Sequence, residues 1–94
     1  MIRLRFDKYN NHDTLQQLID KGCKKLLIEY THGLGDALMF LPYFYSFKEK
    51  NKQCTVDIKL NPLISDLYSG VQDDSYYDYI VWIPAHFNEV DKAF

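Results

Sequence analysis

The stretch Lys24-Lys25-Leu26-Leu27-Ile28-Glu29-Tyr30-Thr31-His32-Gly33-Leu34-Gly35-Asp36 decides the fold class. Its first half is a short apolar run, bounded by charge on one side and a glycine turn on the other. An uninterrupted run of that kind predicts a strand covered on both faces, as in parallel sheets. After the turn, Ala37, Leu38, Phe40, Leu41, Phe44, Tyr45 and Phe47 recur at helical spacing up to about Lys50. Pro42 falls inside that pattern, where a proline costs ~3 kcal/mol in mid-helix but little in the first turn. Either the regular helix begins near Leu41 or Pro42 kinks it; the cheaper arrangement, a short turn over 36–40 and then the main helix, is expected.

Moving outward, Ile2, Leu4 and Phe6 alternate with Arg3, Arg5 and Asp7, a period-two strand with one wet face. Asp13 or Asn11 is placed to cap a helix over about 13–21, with Leu15, Leu18 and Ile19 as its apolar stripe and Gly22 as its stop. On the other side, Cys54 to Leu60 alternates and is rich in β-formers. Asn61-Pro62 breaks it and opens a short helix from Leu63 to Gly70. Tyr79 to Ile83 is a last strand, ended by Pro84, and 85–94 read as a loop and a stub. The order β-α-β-α-β-α-β predicts right-handed crossovers and a mostly parallel sheet of three or four strands in an α/β, Rossmann-like three-layer domain spanning 1–94.

Composition excludes several classes. With 47% hydrophobic and 16% aromatic residues, the chain has enough bulk to bury against its ordering entropy, which excludes disorder. Net charge is −2 and the densest basic run, Lys48, Lys50 and Lys52, is interrupted by Glu49, so nucleic-acid capture is not expected. Cys23 and Cys54 each precede a strand and read as small hydrophobes; no Cys/His pattern suits zinc. Neither an apolar signal core nor a membrane span is visible, so a cytoplasmic, non-transmembrane protein is expected. No cofactor is expected.

Only Thr31–Asp36 has the grammar of a site. In α/β sheets ligands bind at the carboxyl ends of strands. Glycines there allow close backbone approach or unusual dihedrals. The candidate binding residues are His32, Gly33, Leu34 and Gly35, and the candidate catalytic residue is Asp36. Gly33 and Gly35 make a GxG, but Leu38 stands where a dinucleotide fingerprint needs its third glycine, and no phosphate-loop lysine follows. An acidic side chain where phosphate would otherwise be drawn argues for contact with hydroxyls, as on a sugar, or for proton transfer. A carboxylate at a helix start is stabilised as the anion and is usable as a weak base. From spacing alone the plainer readings come first: Asp36 as a helix cap, His32 as a surface residue, and Tyr43 and Tyr45 as packing.

From Leu26 through Pro42 the chain resembles glycosyltransferase family 9, the heptosyltransferase family of bacterial lipopolysaccharide biosynthesis. The shared pattern is an apolar strand, the turn Gly33-Leu34-Gly35-Asp36, a mostly apolar helix start and Pro42 six residues after the aspartate. The strand Val56 to Leu60 and the segment Tyr77-Asp78-Tyr79-Ile80-Val81-Trp82-Ile83-Pro84 extend the likeness over about 24–84. Ahead of the glycines, where the family usually has a basic residue and a serine, stand Glu29, Tyr30, Thr31 and His32. The resemblance implies a GT-B architecture of two Rossmann-like domains, of which this chain would be half of the N-terminal, acceptor-side one. It implies Asp36 as the base that takes a proton from an acceptor hydroxyl of a glycan or glycolipid, and a donor-binding domain outside this chain, so that the chain alone would be incomplete as a catalyst. Two further readings compete. In Rossmann order Leu26–Tyr30 would be left as an open apolar edge unless Ile2–Phe6 covers it, which predicts a homo-oligomer, at least a dimer, and a non-catalytic assembly module. A small nucleotide-binding domain using the glycine turn is the third.

Overall fold

The structure, a computed structural model, describes residues 1–6, 13–85 and 93–94. Four strands, β1 (Ile2–Arg5), β2 (Lys25–Tyr30), β3 (Thr55–Leu60) and β4 (Tyr79–Trp82), form one all-parallel sheet in the order β1-β4-β2-β3. β2 runs in register with β3 from Lys25↔Thr55 to Tyr30↔Leu60, and with β4 from Leu26↔Tyr79 to Glu29↔Trp82. The fold is α/β and Rossmann-like, as the strand–helix alternation requires.

The expected open edge at Leu26–Tyr30 does not exist. β4, the last strand in sequence, returns across β2 and pairs with it, while β1 pairs with β4 instead. The sheet edges are β1 and β3, and neither is a bare apolar template. β1 is short and carries Arg3 and Arg5. On β3 the Val56 carbonyl accepts from the Lys48 ammonium at 2.6 Å and from the Tyr68 hydroxyl at 3.4 Å. Short, charged or side-chain-covered edges are how sheets avoid pairing with other chains. The premise on which oligomerisation was expected is thereby removed.

Helix α1 (Leu15–Asp20) is capped by Thr14, not by Asp13. Thr14 accepts from the Gln17 amide and the Gln17 side chain accepts from the Thr14 amide, a reciprocal capping box. Asp13 instead pairs with Lys21 at 2.6 Å, and Asn11 lies outside the described residues, as does most of the segment after Pro84. Gly22 adopts φ +115°, and the Gly22 and Cys23 amides donate to the Ile19 and Leu18 carbonyls. This left-handed closure needs glycine and delivers Cys23 to the foot of β2.

Helix α2 spans Leu34–Lys50 with Pro42 inside it, so the expected start near Leu41 is too late. Burial decides this. Ala37, Phe40, Phe44 and Phe47 are buried on one stripe of the helix, and Phe40 stacks on Tyr30 of β2 at 4.0 Å between centroids. Each buried phenylalanine contributes about 1.5–3 kcal/mol. Ala37 and Phe40 reach the core only if the helix starts at the glycine turn, and their burial offsets the ~3 kcal/mol proline cost. The lost bond falls at the Leu38 carbonyl on the exposed face, where water can replace it.

α1, α2, Tyr30, the inward residues of β3, and Val81 and Ile83 at the end of β4 share one core; Leu27, Tyr77 and Ile80 form a small cluster on the opposite face of the sheet. The connection from β3 to β4 contributes Tyr77 to that second cluster, while its Ile64 and Tyr68 pack against the first. Its expected helix is replaced by 3₁₀ turns at Pro62–Leu67 and Asp74–Tyr76, because Ile64 leaves helical geometry at φ −129°. No helix among the described residues is long and apolar enough to cross a membrane.

Candidate functional site

The chain steps from β2 outward to β3 and back to β4, so strand order reverses between β2 and β4. Ligands of open α/β sheets collect at the carboxyl ends of strands at such a reversal. There Tyr30 hands over to Thr31 and His32, and α2 begins. The end of β4 is held alongside: the Ile83 amide donates to the Glu29 carbonyl at 3.0 Å, and His32 Nε2 lies 2.8 Å from the Ile83 carbonyl. A carbonyl only accepts, so Nε2 is the donor in this contact. His32 is half-buried, edge-on to Tyr30 at 4.6 Å and to Trp82 at 5.6 Å. It therefore ties β2 to β4 rather than standing free on the surface.

Gly33 is the N-cap of α2 at φ −70°, ψ 172°, an extended backbone open to any residue. Gly35, the second residue of the helix, likewise has no left-handed φ. A Cβ added at either glycine would meet nothing within 4 Å. The expectation that these glycines supply unusual dihedrals is thus incorrect. Neither backbone angle nor packing requires glycine at 33 or 35. What the two glycines leave is open space over the first turn of α2, whose N–H groups have no side-chain cap.

Leu34 is about half exposed and does not contribute to the core. Asp36 is the third residue of the helix. Its carboxylate is exposed and makes no hydrogen bond or ion pair among the described residues. It does not cap the helix. Its charge is felt at the Tyr30 hydroxyl, whose pKa is raised chiefly by burial and further by this carboxylate. The structure thus gathers all five anticipated residues at one end of the sheet, four of them on an exposed rim and His32 behind them. Among the described residues no group of three His, Cys, Asp or Glu side chains could hold a metal.

No protein-family model matches the chain, and no curated protein or solved structure matches it either. The chemistry of the site therefore rests on its own geometry. Uncapped helix amides offer hydrogen bonds to an oxygen, and a carboxylate in the same first turn offers an acceptor for a hydroxyl proton. A group that both accepts and donates, such as an alcohol, fits both; a phosphate dianion meets the carboxylate charge.

Two features escaped sequence reasoning. Trp82 and Tyr30 flank His32, a grouping made by the pairing of β2 with β4, for which the sequence holds no local signal. Asp57, in the alternating strand from Cys54 to Leu60, is buried, accepting from the hydroxyls of Tyr68 at 2.5 Å and Tyr77 at 2.7 Å, with Lys48 at 3.9 Å. Burial raises both tyrosine pKa values, and the bond to Asp57 adds to it. This network fixes the β3–β4 connection beside a cleft of about 310 Å³ between Lys59 and Val71, whose lining includes none of the residues of the glycine turn.

Proposed function

We propose that this chain is the acceptor-side domain of a sugar-nucleotide-dependent glycosyltransferase of heptosyltransferase type, the first part of a GT-B N-terminal domain. Asp36 is the base that takes the proton of an acceptor hydroxyl, and the turn from His32 to Gly35 is the floor on which the acceptor lies. The single observation that supports it is the Asp36 carboxylate, exposed and without a hydrogen bond or ion pair among the described residues, beside two glycines that the fold itself does not need. The hydroxyl oxygen would accept from the first-turn amides of α2 while its proton faces Asp36. As the carboxylate takes that proton, the oxygen gains the charge needed to attack a glycosyl centre. The sugar nucleotide belongs to a donor domain. Two free thiols suit action in the reducing cytoplasm.

The test is an amide-resolved NMR titration of the chain with a panel of neutral and anionic saccharides. The expected result is a set of shifts confined to Thr31–Ala37 and the Trp82 indole for at least one saccharide. Asp36→Asn, which keeps size but not charge, should weaken that response at least about tenfold, the ~1.4 kcal/mol of one charge-assisted hydrogen bond. If no saccharide moves those amides, the proposal fails.

A further inference from the structure

Cys23 and Cys54 stand at the feet of neighbouring strands. β2 and β3 pair from Lys25↔Thr55, and the Thr55 amide donates to the Lys24 carbonyl at 2.8 Å, so the pairing already reaches back to the two cysteines. Neither cysteine belongs to a strand, so their approach is set by the turns that lead into β2 and β3. The Cys54 Sγ lies 3.5 Å from the Cys23 carbonyl oxygen. Cys23 belongs to the main core cluster and Cys54 packs against that same cluster. Both are free.

The two thiols differ in access. Cys23 is buried. Its pKa is pushed up to about 11, mainly by burial and next by the Asp78 carboxylate, which keeps it protonated and inert to small oxidants. Cys54 is half-buried and opens onto a cleft of about 390 Å³ that also holds Lys48, Lys52 and Tyr45. A hydroperoxide can enter there and reach only one of the two sulfurs.

We propose that Cys23 and Cys54 are a peroxide-responsive thiol pair that closes reversibly into a disulfide clasping the feet of β2 and β3. The Cys54 thiolate attacks the terminal oxygen of the hydroperoxide; the O–O bond breaks, water or an alcohol leaves, and Cys54 becomes a sulfenic acid. The Cys23 sulfur then attacks the Cys54 sulfur. The S–O bond breaks, the Cys23 proton is lost, and the hydroxide leaves as water. Two thiols are oxidised and one peroxide is reduced, and a dithiol reverses the change. The closed ring runs from residue 23 to residue 54. It encloses β2, the glycine turn and all of α2, so oxidation locks the element that carries the candidate site, whatever that site binds.

The experiment is intact-mass spectrometry and non-reducing peptide mapping of the folded, reduced chain after exposure to hydrogen peroxide. The expected product is monomeric, has lost two hydrogens, yields a linked peptide containing Cys23 and Cys54, melts several degrees higher, and returns to the starting mass with dithiothreitol. Cys54→Ser should leave Cys23 unmodified by the same exposure. Cys23→Ser should accumulate sulfenic acid on Cys54, trapped by dimedone. Sulfinic acid at Cys54, or a disulfide between two chains, with no 23–54 peptide in the wild-type digest would overturn the proposal. That digest decides the matter even if a variant fails to fold.

Discussion

Replacing Gly35 by alanine should make the fold more stable. The added methyl meets no atom within 4 Å and the backbone is not left-handed, so nothing in the folded state opposes it. Alanine removes freedom from the unfolded chain and has the better helix propensity, a gain of about 0.4–1 kcal/mol. For a domain of this size that is roughly 2–8 °C in Tm. Gly70→Ala is the contrasting case. There the new Cβ would stand 2.7 Å from the Tyr68 hydroxyl oxygen and 2.9 Å from its ring. Tyr68 cannot yield cheaply, because its hydroxyl is bound to buried Asp57, and a loss of about 1–3 kcal/mol is expected. Urea denaturation of both variants measures the pair. If Gly35 is kept for a ligand, the stabilised Gly35→Ala protein should also lose most of its response to saccharide, since the methyl fills the space a ligand would occupy. Destabilisation by Gly35→Ala would refute the reasoning, as it would show that the fold needs the glycine. Stabilisation with unchanged saccharide binding would show that the turn does not carry the ligand.

Pro42→Ala restores a backbone donor toward the Leu38 carbonyl and should raise stability by up to ~3 kcal/mol in the same denaturation assay. His32→Ala removes the bond to the Ile83 carbonyl and two aromatic edges; a loss of about 1–2 kcal/mol is expected, with a change in Trp82 emission. Tyr68 and Tyr77 hold their protons more tightly folded than unfolded. The stability they lend is complete below pH 10.0, their ordinary value, and is lost as pH rises beyond it, so among the late groups of an ultraviolet tyrosinate titration, which include Tyr30, Asp57→Asn should bring two earlier. Asp78 accepts from the amides of Lys24 and Lys25 at 2.9 and 3.1 Å, and the first of these is the main cause of its lowered pKa. Its contribution is present above its ordinary value of 3.8 and fades as pH falls through the lowered one; acid denaturation of Asp78→Asn should converge with wild type at low pH.

Much of this fold is legible locally. The apolar run to Tyr30, the alternation from Cys54 to Leu60 and the run from Tyr79 to Trp82 mark three strands, and their separation implies parallel pairing. Strand order is a tertiary choice: nothing near Leu26 announces that Tyr79–Trp82 will return to cover it. Pro42 misplaces the start of α2, because propensity counts the missing donor while the buried stripe of Ala37, Phe40 and Phe44 outweighs it. Thr14 as a cap was hidden behind the equally suited Asp13, and only the reciprocal bond with Gln17 separates them. The turn that carries Asp36 can be found from sequence, since glycines between a buried strand and a helix are a local signal. The partner of His32 lies 51 residues away and the two tyrosines that bind Asp57 lie 11 and 20 residues away, so only the folded chain joins them.

Whether a saccharide hydroxyl rests between the first turn of α2 and the Asp36 carboxylate is tested most directly by nuclear Overhauser contacts between saccharide protons and the glycine α-protons. Contacts to both Gly33 and Gly35, lost in Asp36→Asn, are the predicted result. Contacts confined to the cleft beside Lys59 and Tyr68, with none to either glycine, would contradict it.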